Sequence, residues 1–146
     1  MTRHFNLREA EALLEELRPL VAEAVSLHSF CQEADSEIRD ATDRIAMLGG
    51  ASVDRARLLA RRAFRDTGLA RLRELLEQIQ QHGCLVKDLG MGLVDFLTIF
   101  RDAEVCLCWR LGEDGIGFWH GVAEGYAGRK RIDEDFLSNH HGDQPA

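Results

Sequence analysis

The chain lacks most of the residue patterns that announce a chemistry. No serine stands between Cys84 and Ile132, and there is no GxSxG elbow for a serine nucleophile. There is no HExxH, no CxxC and no glycine-rich phosphate loop leading into a helix. The cysteines number four, too few for a disulfide scaffold, and Cys106-Leu107-Cys108 does not have zinc-knuckle spacing. No stretch reaches the roughly 18 apolar residues of a membrane span. The opening MTRHFNLREAEALL does not have the layout of a secretory leader, so a cytoplasmic location is expected. Positive charge is also short: 18 Lys+Arg against 25 Asp+Glu leaves a net −7, which repels phosphate backbones and anionic lipid.

What the sequence has is helical periodicity. Asn6 with Glu9 three residues on resembles a capping box, and Gly49-Gly50 supplies a stop, so a helix is expected from about residue 6 to Leu48. Positions 10, 17, 24, 31, 38, 45 and 13, 20, 27, 34, 41, 48 are all apolar, a seam of six heptads. A helix of this length would measure about 60 Å and extend beyond a compact base. Pro19 inside it predicts a kink where base gives way to arm. The arm's seam, Leu27, Cys31, Ala34, Ile38, Ala41 and Ile45, is the expected surface for helix pairing or for a second copy of the chain.

A second helix is expected from a Ser52 N-cap to Gly83, with Ala56, Ala60, Phe64, Gly68, Leu72, Leu75 and Ile79 turned inward. Residues 7–48 carry ten acidic and four basic side chains, whereas residues 53–82 carry four acidic and seven basic. An antiparallel hairpin would set the arginines of the second helix against Glu33, Glu37, Asp40 and Asp43. Pairing between helices accounts for those arginines better than phosphate binding does. Nucleic-acid binding through Arg61, Arg62, Arg65 and Arg129-Lys130-Arg131 therefore ranks third among the functional readings, and no nucleic-acid or membrane partner is expected.

From Cys84 the period changes to two. CLVKDL, GLVDFL, EVCLCWRL and IGFWHG read as strands of an antiparallel meander of three or four strands. Asp114-Gly115 is the natural type I′ turn between the last two, which sets Trp109 opposite His120 and Arg110 opposite Trp119 as a guanidinium–indole stacking pair. That register puts Val105, Leu107, Trp109, Leu111, Ile116, Phe118 and His120 on the core face, and Cys106 and Cys108 on the other. His120 then caps the core; the functional alternative is a ligand or metal site at the sheet rim built from Asp88, Asp95, His120, Glu124 and Arg129. The tail SNHHGDQPA reads as polar and flexible, with His140 and His141 as adventitious ligands at most. The whole is one α+β domain over residues 1–146, with helices over about 6–82, a sheet over about 84–132 and a tail from about 133.

VKDLGMGLVDF, LCWRLGE, FWHG and EGYAGR, in that order behind FNLREAEALLEELRPL, resemble the bacterial uncharacterised family known as domain of unknown function 2203, over about residues 5–131. The resemblance implies a compact bacterial cytosolic protein of helices plus a small sheet, and no established activity. It directs attention to Lys87, Asp88, Gly92, Asp95, Trp109, Glu113, Trp119, His120, Gly125 and Arg129. Gly121 stands where the family pattern would carry Asp after WH, so no carboxylate is available there. The leading expectation is a non-enzymatic module, a homodimer or partner-binding protein working through the helical hairpin. The alternative is a metal or small-molecule site around His120, extending to a hydrolase-type enzyme. No cofactor is predicted; a divalent metal is the one candidate.

Overall fold

The computed structural model describes residues 2–49 and 54–144. Helix α1 spans Leu7–Leu48 and opens on the expected box: the Asn6 side chain accepts from the Glu9 amide (2.8 Å), and the Glu9 carboxylate accepts from the Asn6 amide (3.0 Å). It ends at Gly49, whose φ of 66° is the left-handed conformation that glycine reaches without a Cβ penalty. The helix runs through Pro19 at an exposed position, where solvent can satisfy the carbonyl that the ring deprives of its donor. Helix α2 spans Arg55–Gln81. The expected cap Ser52 lies outside the described residues, and the helix begins instead on Asp54, which accepts from the Arg57 amide (3.1 Å).

The two helices pack as a hairpin within one chain, and α2 covers the seam of α1. Cys31, Ala34 and Ile38 are buried, with Leu27, Ala41 and Ile45 half-buried. Gly68 allows the close approach: a Cβ there would sit 3.1 Å from Cys31 Sγ. The inward face of α2 differs from the expected one. Ala56, Ala60 and Phe64 are exposed, and the residues turned toward α1 are Leu58, Arg61, Arg65, Gly68, Leu72, Leu75 and Ile79. These step alternately by three and four, so the heptad spacing holds once arginine is allowed in it. The reason is ionic. Arg61 meets Glu37 at 2.6 Å, Arg65 meets Asp35 at 2.9 Å and Arg71 meets Glu23 at 2.6 Å; among the described residues, Glu37 is the one expected carboxylate so paired.

The sheet is antiparallel and wider than expected, with six strands: β1 Leu85–Asp88, β2 Leu93–Phe100, β3 Ala103–Arg110, β4 Phe118–Gly121, β5 Lys130–Arg131 and β6 His140–His141. The order is β1-β2-β3-β4-β5, and β6 pairs with β2. The two-residue hairpin lies between β2 and β3, where Arg101 and Asp102 both have positive φ (50° and 65°), the signature of a type I′ turn. Asp114-Gly115 does not close a hairpin. The β3–β4 loop covers residues 111–117 and is organised by Glu113, whose carboxylate accepts from the Arg110 amide (2.7 Å) and whose carbonyl accepts from Trp109 Nε1 (3.0 Å).

The longer loop moves the register by three. His120 lies opposite Cys106, Trp119 opposite Leu107 and Phe118 opposite Cys108. An odd shift turns every side chain of β4 to the other face. Val105, Leu107, Trp109 and Ile116 form the core as their spacing implied, together with Val94 and Phe96 of β2 and with Phe5, Leu14, Leu17, Val21 and Ile79. His120 and Phe118 leave that face, and Trp119 joins it. Residues 133–144 are not a loose tail: α3 (Glu134–Asn139) buries Phe136 in the core, and β6 follows it onto the edge of β2.

Candidate metal centre

On the sheet face opposite the helices, three strands bring four groups together. Asp95 on β2 lies across from Cys108 on β3, and Cys106, two residues earlier on the same face, lies across from His120 on β4. All four are buried: Asp95 is 1% exposed, Cys106 2%, Cys108 0% and His120 3%. Donor atoms of Asp95, Cys106 and His120 lie within 4.8 Å of one another. Cys108, the cross-strand neighbour of Asp95, is the second buried thiol on this face.

The imidazole is oriented from both ends. His120 Nδ1 lies 2.7 Å from the Gly121 carbonyl, which can only accept, so Nδ1 carries the proton. Nε2 is therefore the nitrogen aimed at Asp95, 3.1 Å from each carboxylate oxygen. Burial pushes both thiols up, Cys106 to about 12 and Cys108 to about 12, with the charge of Asp95 adding to the effect. They are protonated thiols at neutral pH, and among the described residues neither thiol is hydrogen-bonded to the imidazole, whose nitrogens face the Gly121 carbonyl and Asp95. A Cys–His nucleophile is thus not assembled.

The donors instead fit a thiophilic ion. Zinc takes cysteine sulfur, histidine nitrogen and carboxylate oxygen in a tetrahedron. A ligating histidine ordinarily donates its second nitrogen to a carbonyl or carboxylate, as His120 does to Gly121. Hard cations such as magnesium and calcium want six or more oxygens, and this cluster has one carboxylate.

The other expected site residues go elsewhere. Asp88 is exposed and caps a turn by accepting from the Met91 amide (3.0 Å). Glu124 is exposed, accepting from the Gly121 amide (2.8 Å) and from Lys130 (2.7 Å), which holds its charge below the ordinary glutamate range. Arg129 bonds both carboxylate oxygens of Glu113 (2.9 and 2.8 Å) and stacks 4.0 Å over Phe118, whose backbone neighbour is Cys108; it flanks the cluster without joining it. The expected Arg110–Trp119 stack does not form. Arg110 lies over Tyr126 at 5.6 Å, and the ring of Trp119 takes Lys130 at 4.7 Å. Sequence reasoning kept Asp95 and His120 together and put the cysteines on the face they occupy, but turned His120 toward the core and so away from them. The signal that was available is Glu113, an acidic residue placed three after Arg110 to close the loop early.

The family model of an uncharacterized conserved protein, DUF2203, matches residues 3–132. The chain belongs to that family. All four residues of the cluster lie within the matched span, and α3 and β6 lie beyond it. No curated protein and no solved structure matches the chain. Among the described residues, no helix is long and apolar enough to cross a membrane.

Proposed function

We propose that this DUF2203 chain binds a thiophilic divalent ion of the zinc class through Asp95, Cys106, Cys108 and His120. The observation that carries the reading is the convergence of a buried carboxylate, thiol and imidazole within 4.8 Å, the imidazole fixed by a backbone carbonyl. The four side chains would supply one oxygen, two sulfurs and one nitrogen. Loading would displace the thiol protons, and the donors would have to draw together to reach ordinary zinc–ligand lengths. The ion would tie β2, β3 and β4 together on the face that the helices do not cover. The test is titration of chelator-treated protein with cobalt(II), then displacement by zinc. A 1:1 complex with thiolate-to-cobalt charge-transfer bands, lost in Cys106→Ala/Cys108→Ala and weakened 10- to 100-fold or more in His120→Ala, is expected. Binding that survives the double cysteine variant, or no stoichiometric binding at all, overturns the proposal.

A second reading keeps the partner function of the arm but moves it. The α1 seam is occupied by α2, whereas Leu59 and Phe64 on the outer face of α2 are 64% and 63% exposed. That face would meet a second copy of the chain. Sedimentation should then show a concentration-dependent dimer that Leu59→Glu/Phe64→Glu abolishes; a monomer at every concentration ends this reading.

A further inference from the structure

The segment 133–144 behaves as a peptide bound to a groove, although it is part of the same chain. Its anchor is Phe136, fully buried and packed on Phe100 (ring centroids 4.7 Å) and Trp119 (5.0 Å). Its strand is β6, which adds to the edge of β2 with His140 opposite Phe100 and His141 opposite Ile99. Thr98 Oγ1 donates to the His141 carbonyl (3.1 Å), and the Arg101 amide donates to the Asn139 carbonyl (3.3 Å). Its acidic residues meet cations at both ends: Asp135 pairs with Arg101, and Asp143 accepts from the amide of His4 (2.8 Å) and lies 3.2 Å from its ring. An aromatic anchor, strand addition and flanking charge are the three devices by which a sheet edge recognises an extended peptide.

Two further observations show how the segment is held. It fits the N-terminal residues before α1 closely at Gly142, where an added Cβ would lie 2.7 Å from the backbone of Phe5 and Asn6. Beside that contact a cavity of about 680 Å³ opens between the segment and the first turns of α1, lined by Leu7, Arg8, Glu11, Leu137, His140 and Gln144 among others. The segment is thus held on two sides, by β2 through Ile99 and Phe100 and by residues 4–7, where the Leu7 amide donates to His140 Nε2 (3.0 Å) and the Asp143 amide to the His4 carbonyl (3.1 Å). It also lies outside the residues matched by the family model.

We infer that the groove between Phe100, Trp119 and the edge of β2 is a peptide-docking site that residues 133–144 occupy in cis. The partner it fits is a protein segment of the same chemistry: a cluster of acidic residues, an aromatic anchor directly after them, and an extended stretch that pairs with Ile99 and Phe100. The resident segment competes at the high effective concentration of a tethered ligand, so the groove opens to a partner only when that segment is displaced. This inference is independent of the metal centre.

The test uses the full chain and a fluorescent synthetic peptide of residues 133–144 as probe, read by anisotropy. In Phe136→Ala the resident segment loses its anchor, and in Gly142→Ala it is pushed from the backbone of residues 4–6; the groove itself is unchanged in both. Each variant is expected to bind the probe at least tenfold more tightly than the unaltered chain, and a probe carrying Phe136→Ala is expected not to bind. If Phe136→Ala does not fold, Gly142→Ala carries the comparison alone. A folded variant that ignores the probe, an unaltered chain that binds it equally well, or binding indifferent to the probe's phenylalanine each overturns the inference.

Discussion

Asp95 is a carboxylate buried among apolar strands, and what keeps it there is the set of donors aimed at it. Taking away the imidazole leaves a buried charge short of a partner, which costs far more than the net worth of the pair. His120→Ala is therefore expected to destabilise the metal-free protein by about 3 kcal/mol; a loss under about 1 kcal/mol in urea unfolding would show that the contact contributes little. Reactivity follows from the same burial. With Cys84 pushed up to about 11 and Cys106 and Cys108 to about 12, folded protein at pH 8 should react with a thiol reagent far more slowly than unfolded protein at any of the three. Rapid labelling of Cys106 or Cys108 in the native state would contradict their placement. The sequence shows four residues capable of this chemistry, but not that they meet. Alternation along a strand gives each residue a face only after the register is known, and the register here depends on Glu113, directly before the Asp-Gly pair, turning the chain back onto Arg110.

Elements were legible wherever the determinant is local. The Asn6–Glu9 box, Gly49 and the heptads of α1 define a helix without reference to the rest of the chain, and the period-two stretches define β1 to β4 in the same way. The inward face of α2 was not legible, because arginine in a seam becomes acceptable only when Asp35 and Glu37 stand opposite. The polar stretch after residue 132 hid one anchor, Phe136, whose partners come from β2 and β4. Two predictions belong at this scale. Asp102 holds a φ of 65° in the β2–β3 turn, a conformation glycine adopts without strain; Asp102→Gly should raise stability by about 0.5 to 1 kcal/mol, offset in part by the freer unfolded chain, and a loss would indicate an unrecognised role for the carboxylate. The docked end should also respond to pH. His4 titrates above the ordinary histidine value because Glu104 hydrogen-bonds its ring, burial opposing and Asp143 adding to the rise; Asp143 titrates below the ordinary aspartate value because it accepts from the His4 amide and ring. The stability supplied by His4 is full below the unfolded histidine pKa near 6.5 and is lost as pH rises through its folded value, whereas that of Asp143 is full above the unfolded aspartate pKa near 3.8 and is lost as pH falls. Both are present at pH 5.5. The stability gap between the unaltered chain and His4→Gln should therefore be larger at pH 5.5 than at pH 8.5, and a gap that does not change removes this ion pair from the account.

At the scale of the molecule, the protein is stabilised at one end. The core gathers the first half of α1, the last turns of α2, the sheet and Phe136, and its buried α1 members run from Ala10 to Val21. Farther out the hairpin has less to hold it. No α2 residue before Gly68 is buried, the seam there contains Arg61 and Arg65, and Met47 and Leu48 at the end of α1 are 84% and 53% exposed. The ion pairs across this part are partly exposed, and such pairs contribute about 0 to 1 kcal/mol each and weaken with salt. Opening the distal arm therefore breaks few apolar contacts and leaves the sheet and its polar cluster intact. Amide exchange should grade along the hairpin: slowest at residues 10–24 and 72–79, where opening approaches global unfolding, and orders of magnitude faster at 38–48 and 55–64. Added salt should speed the distal amides without touching the proximal ones. Uniform protection along both helices would mean that something else covers the arm in solution, and a second copy seated on Leu59 and Phe64 would do so; protection of 55–64 that rises with protein concentration would identify that cover.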